Sequence, residues 1–443
     1  MTVTVIGAGL AGVEAAYVLA RLGIKVRLHE MKPVKYSPAH THSGFAELVC
    51  SNSLKADRLS TAGGLLKAEM RILGSLTLEV AALTKVPAGG ALAVDRVAFS
   101  NEITRRLKAE PNIEVVTGEV IEFPENNAVI ATGPLTSDSF AESIKRECGG
   151  FLSFYDAAAP IVTADSINTE KAFMAVRYGK GEPDYINCPF TQEEYDVFYN
   201  ALITAETAPL HEFDSLDTDS AVSPNYYEGC MPAEALAKRG YDSLRFACMK
   251  PVGLTEPKTG KRPYAAIQLR KENASGTMYN IVGFQTNLKF GEQKRVFSLI
   301  PGLENAEFVR YGVMHRNTFI DSPRLLDNNF MQRSNSNIFF AGQITGVEGY
   351  MESAASGIIA GAALANTLHG TPPLTLPITT MTGALANYIS DKTVINFQPM
   401  GANMGLLPPL DDIVKGKQER YQQLAERAIR DLKDCAERAR VKK

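Results

Sequence analysis

The chain opens on an apolar run, Val3-Thr4-Val5-Ile6, that passes directly into Gly7-Ala8-Gly9-Leu10-Ala11-Gly12. Val13, Ala16, Tyr17 and Ala20 then share one helical face, and a second apolar run over 26–28 ends at Glu30. That order predicts a strand, a tight glycine turn, a helix and a second strand closed by an acid. Residues 65–83 carry Leu65, Leu66, Met70, Leu73, Leu76 and Val80 near one face and read as a single helix. Asp95 is suited to cap a helix running to Leu107, and 113–120 and 128–131 read as strands. From about Phe151 the texture changes to short mixed segments rich in tyrosine, with strand-like runs at 264–269 and 279–284. An apolar strand over 337–340 then leads through Ala341-Gly342-Gln343 and Gly346-Val347-Glu348-Gly349-Tyr350 into a helix of small residues reaching Ala365. The tail, 412–443, has Tyr421, Leu424, Ala428, Leu432 and Cys435 at helical spacing, with Lys and Arg on its other face.

The opening unit has the chemistry of a dinucleotide site. Gly7 permits the turn, Gly9 lets backbone approach a pyrophosphate, and Gly12 lets the helix pack on the strand. Unpaired N–H groups and the helix dipole at the helix N-terminus favour phosphate. Ala8, Leu10 and Ala11 complete this turn, and Glu30 is expected to take the ribose hydroxyls of the adenosine half. The junction Thr132-Gly133-Pro134 is a second strand-to-turn site suited to lie beside the cofactor. Gly342, Gln343, Gly346, Gly349 and Tyr350 form a further motif, where small residues let a helix start close to a ligand. Two cofactor motifs about three hundred residues apart favour FAD over NAD as the tightly held cofactor. The expected fold is α/β: a Rossmann-like, glutathione-reductase-like FAD-binding domain from 1–154 and 301–443, interrupted by an α+β insertion at 155–300.

Composition narrows the setting. At 443 residues, 45% hydrophobic and 21% charged, the sequence suits a globular protein with two cores. No apolar run is long enough to span a bilayer, and the apolar N-terminus is explained as a strand, so a cytoplasmic location and no membrane partner are expected. A net charge of −3 gives no global attraction for a polyanion, and a nucleic-acid partner would need a local basic patch. Basic clusters at Lys258-Lys261-Arg262, Arg270-Lys271, Lys294-Arg295 and in the tail are the candidates, although each also reads as an ordinary solvated face.

Six cysteines are scattered without Cys-x-x-Cys spacing, which argues against zinc and against a disulfide framework. Cys148, Cys188, Cys248 and Cys435 read as small buried hydrophobes. Cys50 and Cys230 lie among polar and turn-forming residues, where a thiol can be accessible and near backbone N–H groups. For these two the reactive and the buried readings both stay open. His40 and His42 lack further ligands and read as loop residues, so no metal is expected, and His315 by itself reads as structural.

In this order along the chain the blocks Leu48-Val49-Cys50-Ser51-Asn52-Ser53, Gly89-Gly90-Ala91-Leu92-Ala93-Val94-Asp95-Arg96, Tyr185-Ile186-Asn187-Cys188-Pro189, Glu228-Gly229-Cys230-Met231-Pro232, Met249-Lys250-Pro251-Val252-Gly253-Leu254, Met314-His315-Arg316-Asn317-Thr318 and Phe397-Gln398-Pro399-Met400 join the two glycine motifs. Together they resemble the folate- and FAD-dependent tRNA (uracil-5-)-methyltransferase family over nearly the whole chain. The glycine motifs alone also suit the related GidA flavoproteins, which modify the wobble uridine; the two cysteine blocks separate the readings. Ala247-Cys248, Gly401 and Met404 depart from the family pattern, which bears on the RNA target more than on the chemistry.

The resemblance implies formation of 5-methyluridine in the T-loop of tRNA, or the same chemistry on 23S ribosomal RNA. The carbon comes from 5,10-methylenetetrahydrofolate and the hydride from flavin reduced by NADH or NADPH. It implies that one thiol adds to carbon 6 of uracil and the other serves as base or acid. Cys50 is assigned as nucleophile and Cys230 as base, with the reverse also open. His315 is expected to stack on the folate pterin. No protein partner is required in this scheme, unlike the GidA alternative.

Overall fold

The computed structural model describes residues 2–179, 182–208, 231–312, 314–372, 375–394 and 397–441, with backbone alone at 152–157, 315–316 and 438–441. Its first sheet has six strands in the spatial order Met331–Gln332, Asn335–Phe340, Ala128–Ile130, Thr2–Ile6, Lys25–Glu30 and Ile113–Thr117. All pairings are parallel except that between the first two. Val5 lies opposite Leu28 on one side and Val129 on the other, and all three are buried. Parallel strands covered on both faces are apolar without alternation, which is why the sequence shows runs here. Because the strands run the same way, their carboxyl ends bring Gly7, Glu30, Gly118, Ala131 and Ala341 to one edge. An open α/β sheet binds its ligand at that edge.

The helix Leu10–Arg21 connects the first strand to its neighbour, and Tyr350–His369 packs directly against it. These two helices approach backbone to backbone. A Cβ on Gly357 would meet the Ala11 carbonyl oxygen at 2.1 Å, and one on Gly361 would meet that of Ala15 at 2.9 Å. The small residues of this helix thus serve helix packing along most of its length, and only its first turn faces the ligand edge.

A second, antiparallel sheet is built in the order Phe173–Ala175, Tyr185–Phe190, Ala265–Lys271, Met278–Ile281, Ile161–Thr163 and Phe308–Arg310. It has its own apolar cluster, with Phe190, Phe198, Phe284 and Phe297 buried in it. A two-stranded ribbon, Phe151–Ala157 against Met314–Ile320, leads into and out of this region. A small sheet of Ser53–Ala56, Ala91–Val94 and Lys85–Val86 lies at the junction. Among the described residues no helix is long and apolar enough to cross a membrane.

The single helix expected over 65–83 is two helices, Ala62–Ile72 and Leu76–Leu83. Gly74 between them takes φ +79°, and the Ser75 side chain caps the second by accepting from Leu78 N–H. The apolar spacing continues across this break because both helices bury the same side. The tail helix runs Lys417–Val441 and buries Leu424, Ala428 and Leu432.

Two buried glutamates secure helices distant in sequence. Glu14 accepts from Leu76 N–H at 3.0 Å and Thr77 N–H at 2.9 Å. Glu69 accepts from Met381 N–H at 2.7 Å, and from the N–H and hydroxyl of Thr382, each at 2.8 Å, at the start of helix Met381–Ser390. Burial raises both carboxyls, Glu69 to about 7, against the hydrogen bonds that lower them. A carboxyl raised on folding contributes stability that is complete below its ordinary value of 4.5 and is lost as the pH rises through about 7. Urea unfolding between about pH 5 and about pH 8 should therefore show a fall in wild-type stability that Glu69→Gln reduces, the part that persists being the share of Glu14.

Candidate functional site

A cleft of about 1130 Å³ runs along the carboxyl edge of the parallel sheet. Gly7, Ala8, Gly9, Leu10, Ala11, Glu30, Gly133, Gly342, Gln343 and Tyr350 all line it. Each glycine of the first turn has its own constraint. Gly7 takes φ +97°, and a Cβ there would meet the Ala131 carbonyl oxygen at 2.6 Å. A Cβ on Gly12 would meet the Gly7 oxygen at 1.8 Å, so this residue packs beneath the turn and does not line the cleft. At Gly9 a Cβ would meet nothing within 4 Å, which leaves its backbone open to the cleft. The helix that follows has no side-chain cap and no acid in its first turn. Its first N–H groups are therefore suited to phosphate.

Glu30 is oriented by two backbone donors, Ala8 N–H at 2.9 Å on one oxygen and Lys32 N–H at 3.0 Å on the other. Each carboxylate oxygen accepts more than one hydrogen bond, so ribose hydroxyls can still be taken. These features fit the expected flavin adenine dinucleotide: an open glycine cradle, an uncapped helix start and a fixed acid. His40 also lines this cleft, with Nδ1 2.5 Å from Ser37 Oγ; burial and the Lys32 charge lower its pKa.

The second glycine motif divides. Gly342 (φ +85°) donates its N–H to Ser356 Oγ at 2.7 Å and, with Gln343, lines the cleft. Gly346 and Gly349 do not line it. Gly346 (φ +82°) turns beneath the Phe397 ring, and the Gly346–Glu348 loop is bonded to Met400 through Met400 N–H to Gly346 O and Glu348 N–H to Met400 O, each 2.9 Å. Gly349 (φ +117°) has no room for a Cβ beside the Glu352 carboxylate, which pairs with Lys55 at 2.9 Å. Both glycines shape the turn that presents Tyr350, and neither touches the cleft.

Tyr350 joins the cleft to Cys50. Its hydroxyl accepts from Cys50 N–H at 2.8 Å and Ser51 N–H at 3.3 Å, and lies 2.9 Å from Cys50 Sγ. A phenol has two lone pairs and one proton. With the lone pairs engaged by the two N–H groups, the proton is left to point at the sulfur. Burial, and then the neighbouring thiol, push this hydroxyl well above the usual phenol range, so it retains the proton it donates.

Three arginines hold the loop around Cys50. Arg96 Nη1 donates to Leu48 O at 2.7 Å and Val49 O at 3.2 Å, and Arg310 Nη2 to Val49 O at 2.6 Å. Arg270 reaches Ser51 Oγ at 2.7 Å and Asn52 Oδ1 at 3.0 Å. Asn52 in turn donates to Val94 O, Lys271 O and Glu272 O. Arg270, by sequence part of a basic surface cluster, is only 5% exposed. Its place at the end of the apolar run Ala265-Ala266-Ile267-Gln268-Leu269 was the available signal. Arg96, Arg310, Val49 and Ser353 were not expected at the site at all.

Of the other thiols, Cys435 Sγ donates to Thr375 O at 3.4 Å. Burial pushes Cys148 and Cys248 up to about 12 and Cys188 further still. Cys230 lies outside the described residues. His315 is on the strand Met314–Ile320 with its backbone opposite Asp156, and its side chain is outside the described set. Among the described residues no cluster of histidine, cysteine and acid could hold a metal. Lys258, Lys261, Arg262 and Lys294 are exposed, and Arg295 pairs with Glu292 at 2.6 Å.

The profile of the family described as glucose inhibited division protein A matches residues 2–372. The chain is 55% identical over 433 residues to "Methylenetetrahydrofolate--tRNA-(uracil-5-)-methyltransferase TrmFO" of Halalkalibacterium halodurans, covering 98% of each chain. It is 57% identical over 433 residues to the protein of the same name from Pelotomaculum thermopropionicum, covering 97% of each. Among solved structures, Aquifex aeolicus GidA superposes with a TM-score of 0.69 at 16% identity, over 98% of this chain and 73% of that one, which shows a shared fold.

Since Gly12 has no space for even one methyl group, Gly12→Ala should force the turn and the helix apart. The purified variant is expected to lose most of its bound flavin, read as visible absorbance per mole of protein, while Gly9→Ala retains more.

Proposed function

The chain belongs to the glucose inhibited division protein A family and, within it, to the TrmFO methyltransferases, and on that premise we propose that it forms 5-methyluridine in tRNA. The carbon donor is 5,10-methylenetetrahydrofolate, FAD is the resident cofactor and NADH or NADPH the reductant. The observation that carries this reading is the Cys50 thiol held by Tyr350, a residue that itself lines the dinucleotide cleft.

Carbon 5 of uracil is a poor nucleophile and needs activation. Addition of a thiolate to carbon 6 makes an enolate whose carbon 5 attacks the folate methylene. A base then removes the carbon-5 proton, and elimination of tetrahydrofolate and later of the thiolate frees the product. Reduced flavin, when bound, supplies the hydride that turns the exocyclic methylene into a methyl group. Cys50 is assigned to the addition and Cys230 to proton transfer, with the two roles open to exchange. Gly7–Ala11, Glu30, Gly133, Gly342 and Gln343 hold the cofactor, and His315 stacks on the pterin.

In this reading the unit over 1–154 and 301–443 binds the flavin, and the unit over 155–300 presents the RNA. The target base must leave its stack to reach the cleft. Exposed cations of the second unit and of the tail helix supply the salt-dependent part of RNA affinity.

The test incubates flavin-loaded protein with methylenetetrahydrofolate, reduced nicotinamide, and either unmodified tRNA or 23S ribosomal RNA, followed by nucleoside analysis. 5-Methyluridine is expected in tRNA, and Cys50→Ala and Cys230→Ala should each lower its formation at least about a hundredfold. Product in ribosomal RNA alone would move the target, and none in either RNA would overturn the proposal. His315→Ala should abolish folate-dependent turnover while leaving flavin content intact.

A further inference from the structure

Among the described residues, the loop around Cys50 is surrounded by more positive charge than its neighbours neutralise. Arg96, Arg270 and Arg310 all donate to residues 48–52, and the carboxylate among them is Glu272, 2.5 Å from Arg96. The Arg96 and Glu272 side chains are 13% and 4% exposed, so water screens this excess poorly. Arg96 Nη2 and Arg310 Nε are buried without a hydrogen-bond partner. Burial holds the Arg270 and Arg310 guanidiniums below the usual arginine range, and the Arg96 charge adds to this at Arg310. Uncompensated buried charge is costly, and a fold that retains it has an anion to set against it.

The groups packed on the Cys50 loop come from four directions. They are Tyr350 from helix Tyr350–His369, Arg96 from helix Arg96–Ala109, Arg310 from strand Phe308–Arg310, and Arg270 with Glu272 from the end of Ala265–Lys271. Beyond them Lys55 and Glu352 form a pair that is neutral as a unit. Arg310 Nη2 donates to the carbonyl of Val49, the residue immediately before Cys50. Tyr350 has its proton aimed at the sulfur.

We propose that Cys50 rests as a thiolate in the flavin-loaded enzyme before RNA arrives, serving as the counter-ion of the Arg96–Arg270–Arg310 cluster, with the Tyr350 hydroxyl donating to its sulfur. The inference rests on the reading of Cys50 as a reacting thiol and adds what makes it reactive. The three arginines are positioning residues, because they act on the loop and its charge without touching the reacting carbon. A sulfur prepared in this way can add to uracil or take its proton, so the proposal holds for either assignment of the two cysteines.

The test follows carboxamidomethylation of Cys50 by iodoacetamide, site by site with peptide mass spectrometry, in flavin-loaded protein without RNA. The S–C bond forms as iodide leaves, and the proton has already gone to solvent, so the rate follows the thiolate fraction. The wild-type rate should stay level from about pH 8.5 down to about pH 6, where an ordinary thiol falls about tenfold per unit. Arg310→Gln and Tyr350→Phe should restore that fall, and Arg310→Lys, which keeps the charge, should preserve the plateau. A merely structural role for Arg310 predicts that Lys and Gln behave alike.

Ultraviolet thiolate absorbance of wild type minus Cys50→Ser gives the same titration without depending on reagent access or on the arginine variants folding. Titration of Cys50 near the ordinary value of about 8.5 in both measurements overturns the proposal. If the plateau is found but no RNA is methylated, the functional reading fails and the thiolate stands; methylation with an ordinary titration gives the opposite result.

Discussion

Helix Leu10–Arg21 is trapped between two backbones, and the geometry of the cleft depends on that contact. Gly12 sits under the Gly7 carbonyl, and Gly357 and Gly361 lie against the carbonyls of Ala11 and Ala15. None of these positions has space for a Cβ. The contact fixes the register of Tyr350–His369 against the glycine turn. Gly357 is two helical turns, about 10 Å, from Tyr350, on nearly the same face. Where the glycine sits therefore decides where the phenol sits, and the phenol holds both Cys50 and the backbone after it. A cofactor cradle and a thiol loop are thereby set against one helix that begins 300 positions after the thiol.

What was legible in the sequence followed from locality. A strand, a turn requiring glycine and a helix lie within thirty residues, and each glycine answers a constraint imposed by its near neighbours. The same holds for Asp95, which caps helix Arg96–Ala109 through Val97 and Ala98 N–H as its position suggests. The break at Gly74-Ser75 was masked because apolar spacing reports burial, and burial continues across the turn. Gly346 and Gly349 look like cradle glycines, but their conformations answer to Phe397 and Glu352, contacts made by distant or folded-back side chains. Arg270 looked like surface charge because its partners, Ser51 and Asn52, lie more than two hundred residues away. The thiol environment could not be read locally, since none of its charged neighbours is local.

The two sheets are linked through the loop that carries Cys50. Asn52 donates to Lys271 O and Glu272 O, Asp95 accepts from Ala274 N–H, and Asp184 accepts from Gly89 N–H. Tyr185 Oη donates to Ala88 O across the same junction. The Cys50 loop therefore belongs to the parallel-sheet unit by chain order and to both units by hydrogen bonding. A displacement of the antiparallel sheet would be transmitted to the sulfur through Arg270 and Asn52.

Glu14 and Glu69 have a consequence for the order of assembly. A cap carried on the adjacent residue accompanies its helix from the moment the chain is made, whereas one borrowed from another helix exists only after docking. Glu69 leaves the ribosome 312 residues before its partner Met381. The acceptor can thus already be in place, within a folded N-terminal layer, when the last third of the polypeptide emerges. Helix Met381–Ser390 would then settle onto a prepared template, and a nascent chain stalled before it would leave that carboxylate without its donors.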